Sequence, residues 1–159
     1  KKKKRGGVGV FRVGASSATE MKETKERVDD ALNTTRAAIK EGVIVGGGLT
    51  LLKLSSLVSE SGDEHISPHC LRIYEVLAHA LKTPLVQLGI NAGVGNVDAL
   101  VGQLLKSVGN HGYNAKTRRF ADLREEGVLD AASVVKSSLR AAVSIASMVI
   151  LTEVLVADL

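Results

Sequence analysis

Three consecutive glycines, Gly46, Gly47 and Gly48, precede the apolar run "LTLLKL". Glycine loses more backbone freedom on ordering than any other residue, so three together need a reason. Unpaired N–H groups at the start of a helix, with no side chain to hold a ligand off, suit a phosphate or a ribose. A helix end followed by a crowded crossing asks for the same residues. The loop is not a Walker A motif, because Leu49 and Thr50 follow Gly48 where Lys and Ser or Thr would stand. Nor is it GxGxxG after a strand. On residue types alone the corner is the favoured reading.

Three polar residues are the other candidates for chemistry. Asp30 lies about 200° around a helix from Val28, turned away from the apolar stripe through Val28 and Leu32. It suits a solvated acid, or a carboxylate reaching into a neighbouring cleft. Asn114, in "GYNA", carries an amide that suits an adenine edge. Asp130, in "GVLD", suits a cap on a helix beginning at Ala131, or an acceptor for ribose hydroxyls; taken alone, the cap is favoured. His65, His69, His79 and His111 have no metal-ligand spacing, and no metal site is assigned. Cys70 is the one cysteine, which excludes an internal disulfide framework. Its place in "CLRIYEVLAHAL" predicts a buried, inert thiol.

The elements that must position these residues are helices. Of 159 residues 45% are hydrophobic but only 3% aromatic, and two are proline. An aliphatic, proline-poor core favours helices over sheet. The net charge of +4 arises from Lys1, Lys2, Lys3, Lys4 and Arg5, without which the chain carries one net negative charge. With no aromatics interleaved for base stacking, residues 1–7 read as a solvated, disordered or appended end, and no specific nucleic-acid partner is expected. Residues 8–14 read as a short strand. Residues 15–42 form one long helix capped by Ser16 or Ser17, with Glu20 at the capping-box spacing and a stripe of Met21, Val28, Ala31, Leu32, Ala38 and Ile39. "LTLLKLSSLVSES" is a second helix, mostly buried. Two helical pieces follow, divided at Pro84 with Thr83 as cap, and then another helix in "NVDALVGQLLKSVG". Residues 110–130 read as irregular with glycine-marked turns. The last helix, "AASVVKSSLRAAVSIASMVILTEVL", carries Val135, Leu139, Ala142, Ala146 and Val149 on one face. Ser144, Ser147, Thr152 and Glu153 interrupt it, so it reads as a buried core helix, not a membrane span. "VLVADL" suits a closing strand.

Taken together, these motifs closely resemble group I chaperonins of the GroEL type. "VGVFRVGASSATEMKETKERVDDALNTTRAAIKEGVIVGGG" is similar to the segment joining their intermediate and equatorial domains. "GYNA", "GVLD" and "ILTEVLVADL" follow in the family's order and at about its spacing. The resemblance runs from about Gly7 to Leu159. It implies a mainly α fold with short strands near both ends, residues 8–40 returning from the intermediate domain, and residues 41–159 forming the second half of the equatorial domain.

The resemblance also implies a function. Family members are ATP-driven folding machines, built as seven-membered rings that enclose non-native proteins under a co-chaperonin lid. They work in the bacterial cytoplasm or an organelle interior, plastid or mitochondrial, with ATP and Mg2+ as cofactors, K+ as a further candidate, and no membrane. Carried over residue by residue, Asp30 helps activate the attacking water, Gly47 contacts the nucleotide, Asn114 and Ala115 touch adenine, and Asp130 meets the ribose. Lys116 departs from the family, which has a small residue there. The phosphate-binding loop, the magnesium ligand, and the apical domain that binds clients and co-chaperonin belong to parts preceding residue 1. The 159 residues alone are therefore expected to be inactive. The rival reading is a non-enzymatic helical interaction module.

Overall fold

The computed structural model describes residues 7–61 and 67–154. The expectation for residues 1–6 lies outside them, as does, beyond Val154, the strand expected at the end of the chain. Among the described residues the order is α1 (Ala18–Glu41), β1 (Val43–Val45), α2 (Leu49–Glu60), α3 (Pro68–Asn91), α4 (Val97–Leu105), β2 (His111–Asn114), β3 (Arg119–Asp122), β4 (Leu129–Ala131) and α5 (Ala132–Leu151). The fold is mainly α, as the sequence suggests.

The long first helix starts at a capping box. Ser17 is the N-cap, and its Oγ accepts from the Glu20 N–H at 3.2 Å. The Glu20 carboxylate reaches back to Ser16, accepting from its Oγ at 2.7 Å and its N–H at 3.1 Å. Those bonds, the side-chain one foremost, hold the Glu20 carboxyl below its ordinary pKa. The helix ends at Gly42, whose φ of 87° favours glycine. None of its residues is buried. The strand expected at 8–14 does not form. A strand needs a partner's ladder, and the described strands pair only with one another.

The core is aliphatic. Leu49 and Leu52 of α2, Leu85 of α3, Leu100 and Leu104 of α4, Tyr113 and Leu123 form one buried cluster. Helix α2 is less enclosed than its leucines suggest: Leu49, Leu52 and Ser55 are buried while Leu57 is 60% exposed. Helix α3 runs unbroken through Pro84 instead of dividing there. Proline removes one N–H and with it one helical bond, but the flanking Leu81 and Leu85 are buried in the core, and their packing holds the helix together across that gap. With 24 residues against the 12 of α2, α3 outreaches its partner by about 18 Å. Among its described side chains the buried positions begin at Ala78. Cys70, on the overhang, is exposed, contrary to the buried thiol expected from its pattern. Helix α4 is capped by Asn96, whose Oδ1 accepts from the Ala99 N–H at 2.9 Å.

Residues 110–130, read from sequence as irregular, contain two antiparallel pairings. β2 and β3 make a hairpin with Asn114 opposite Arg119, and the Tyr113 and Phe120 rings meet edge to face at 5.6 Å. β4 pairs with β1, 84 to 88 residues earlier, with Ile44 opposite Asp130.

Helix α5 departs from the buried helix expected. Beyond Ala132 none of its residues is buried. Its main packing is against α1 and β4, including an ion pair between Lys136 and Glu41 at 3.6 Å. Val135, Leu139, Ala142 and Ala146 face Ile73, Leu77 and Leu81 of α3 across an open apolar groove of about 600 Å3. By length and composition α5 is also apolar enough to cross a membrane.

Candidate functional site

The β1–β4 pairing brings distant chemistry together. β1 leads directly into the three glycines, and β4 carries Asp130 alongside them. The Gly46 N–H donates to the Val128 carbonyl at 2.9 Å, closing the loop onto the approach to β4. A methyl group built on Gly46 would stand 3.2 Å from Cγ and both carboxylate oxygens of Asp130. That spacing is tighter than ordinary van der Waals contact. The absence of a side chain at Gly46 is therefore what lets the Asp130 carboxylate lie over the loop. Asp130 itself is exposed. It does not cap α5: the N-cap is Ala131, with no side-chain bond, because Asp130 is held in the β4 ladder.

The other two glycines have separate reasons. Gly47 has φ of 65°, and its missing Cβ would meet the Leu123 side chain at 3.3 Å and the Tyr113 carbonyl at 3.9 Å. The loop thus abuts the strand that carries Asn114. Gly48 has φ of 75° and would bring a Cβ within 3.0–3.1 Å of Cβ, Cα and N of Leu85. This is the crowded crossing, where α2 starts against the backbone of α3. Corner and exposed backbone are thus both present in one loop, at successive residues.

Leu123 joins the parts. It is fully buried, its N–H donates to the Asn110 carbonyl and its carbonyl accepts from Val128. Gly112 lies so close that an added Cβ would overlap the Leu123 side chain at 2.4 Å. Hairpin and glycine loop both abut this one side chain, and its backbone ties in the approach to β4 through Val128.

Asn114 is buried, only 8% exposed. Its amide makes three hydrogen bonds within the protein. Oδ1 accepts from the N–H groups of Lys116 at 2.9 Å and Thr117 at 3.3 Å, an Asx turn that shapes the hairpin tip. Nδ2 donates to the Glu126 carboxylate. Ala115 is half-buried beside the core and Lys116 is exposed. Arg118 completes the turn in the left-handed region with φ of 55°.

Asp30 is not part of this gathering. It sits on an exposed face of α1, eleven residues before the helix ends at Glu41, which is about 16 Å along the axis. Gly46, Gly47, Asn114, Ala115 and Asp130 are thus brought into one neighbourhood, and Asp30 is held apart from it. Glu126 and the spacing role of Gly46 were missed from sequence. Glu126 lies 12 residues from Asn114, and only the hairpin makes them neighbours.

The chain is similar along almost its whole length to known proteins. Residues 1–158 match the family described as the TCP-1/cpn60 chaperonin family. Among solved structures, the open-state monomer of a group II chaperonin from Methanococcoides burtonii superposes with a TM-score of 0.70 at 24% identity, over 86% of this chain and 35% of that one. At that identity the likeness speaks for the fold, and the chain spans about a third of the neighbour's length. On the family match across 1–158, this chain belongs to the TCP-1/cpn60 chaperonin family.

Proposed function

We propose that this chain forms one wall of the nucleotide site of an ATP-driven chaperonin, nearer the group I than the group II type. The observation that carries the reading is that the glycine loop lies against both Asp130 and the strand ending in Asn114, although some 65 to 85 residues separate it from them in the chain. In this reading Asp130 accepts from ribose hydroxyls, backbone at Gly47 touches the nucleotide, and the turn at Asn114 and Ala115 meets the base. The likeness to group I rests on "RVDDAL", "VGGG", "GYNA" and "GVLD" standing in that family's order.

The residues present fit the sugar and base of a nucleotide better than its metal. In this reading the Mg2+ ligands and the phosphate loop come from the rest of the protein. Bound ATP supplies the phosphoryl group, and its transfer needs positioning and charge neutralisation more than covalent help from the protein. Asp30 orients the attacking water only when α1 swings toward the site, which couples hydrolysis to a change of shape. Residues 8–40 are then the returning intermediate-domain piece and 41–159 the equatorial half. The complete protein forms rings that fold client proteins, and the 159 residues alone do not turn over ATP.

The test is Asp30→Ala in the protein of full family length. Hydrolysis should be abolished while nucleotide affinity stays within about twofold. Unchanged turnover would remove the role given to Asp30. A helical interaction module is the second reading, favoured by the open groove between α3 and α5. It predicts client or partner binding that is indifferent to nucleotide.

A further inference from the structure

Asn114 is the natural candidate to read the base, because an Asn amide can pair with the adenine edge through one donor and one acceptor. In this structure that capacity is used up. An amide oxygen has two lone pairs and an amide nitrogen two hydrogens. Both Oδ1 acceptances go to the Lys116 and Thr117 N–H groups. One Nδ2 hydrogen goes to Glu126. The residue is more than nine-tenths buried, and the Glu126 carboxylate, accepting only, fixes which way round the amide sits. A flipped amide would set oxygen against carboxylate and nitrogen against two N–H groups.

Resting on the nucleotide reading above, we propose that Glu126 is a positioning residue: it locks the Asn114 amide, which shapes the turn, and the base is met by the main chain of that turn and not by the Asn114 side chain. The Lys116 N–H is given to Asn114, so the base contact falls to the other main-chain groups at 115 and 116. This also accounts for Lys116, whose long side chain is exposed. A backbone contact does not require a small residue there.

The test exchanges the partners. In the protein of full family length, Asn114→Asp places a carboxylate against Glu126. Adding Glu126→Gln restores a complete set: the introduced carboxylate accepts from Lys116 and Thr117 with one oxygen and from the new amide with the other. Two readouts are taken by NMR, hydrogen exchange at the Lys116 and Thr117 amides and the shifts of 112–118 on titrating ATP. The single variant should exchange at least tenfold faster at both amides and lose the ATP response, and the double variant should recover both. Recovery of exchange protection without the ATP response would overturn the proposal, because the amide would then be the base reader. Failure of the double variant to recover protection would overturn the lock. Glu126→Ala, which introduces no repulsion, should also raise exchange at both amides; unchanged exchange would count against the lock. An ATP-insensitive wild-type chain would sink the nucleotide reading and the base contact together, while exchange protection would still decide the lock.

Discussion

Two regions of this molecule are built on opposite terms. The unit formed by α2, the second half of α3, α4 and the hairpin closes around Leu49, Leu52, Leu85, Leu104 and Leu123, each at most 2% exposed. Helices α1 and α5, 24 and 20 residues long, bury a single alanine between them. Both halves are helical and rich in aliphatic residues, so composition does not separate them. What separates them is whether a helix finds partners on more than one side. The candidate site lies at the boundary, with Asp130 and the glycine loop fixed by the compact unit and Asp30 carried on the free helix.

That contrast can be broken by mutation. The largest effect should come from Leu52→Ala, which opens a cavity in the compact unit and should cost about 3 kcal/mol in urea unfolding. Ile150→Ala on α5 should stay within about 0.5 kcal/mol. Comparable costs would mean that α5 is packed after all. Next in size is Gly48→Ala, which meets both a left-handed φ and the Leu85 backbone and should destabilise by roughly 2 kcal/mol. Gly102→Ala, in α4 with open space around it, should instead stabilise by about 0.5–1 kcal/mol.

The exposed apolar face of α5 sharpens the comparison from the other side. Such a face promotes association, so sedimentation should show concentration-dependent oligomers, reduced by Val143→Lys combined with Ile150→Lys. A strictly monomeric wild type would contradict this. The smallest effect belongs to the α1 cap. Ser17→Ala should cost about 1 kcal/mol of local helix stability and leave the core transition in place. The Glu20 carboxyl is lowered in the folded chain by its bonds to Ser16. Its contribution is therefore full above the ordinary Glu value of about 4.3 and is lost as pH falls through the lowered value. Amide exchange in the first turn of α1 should rise in that acid window and not near neutrality.

Local signals in the sequence were reliable where one short segment decides the structure. The capping box at Ser17 and Glu20, the stop at Gly42 and the α2 start after Gly48 are of this kind. Signals failed where a distant partner decides. Nothing near residues 110–130 announces that β4 will pair with β1, so Asp130 looked like a cap. Nothing near Glu126 announces that a hairpin will bring Asn114 beneath it. Pro84 looked like a break because its local cost is evident and the packing of Leu81 and Leu85 is not. The buried readings of Cys70 and α5 failed for the converse reason: apolar pattern predicts what a helix can bury, not whether a partner lies opposite.

The central claim is that the glycine loop, Asp130 and the Asn114 turn form one nucleotide-binding wall. Its most direct test is ATP titration of the full-length protein carrying Asp130→Ala, a change at an exposed carboxylate that should leave folding intact. The account predicts at least a tenfold loss of affinity with an unchanged unfolding midpoint. Wild-type affinity in that variant would contradict it.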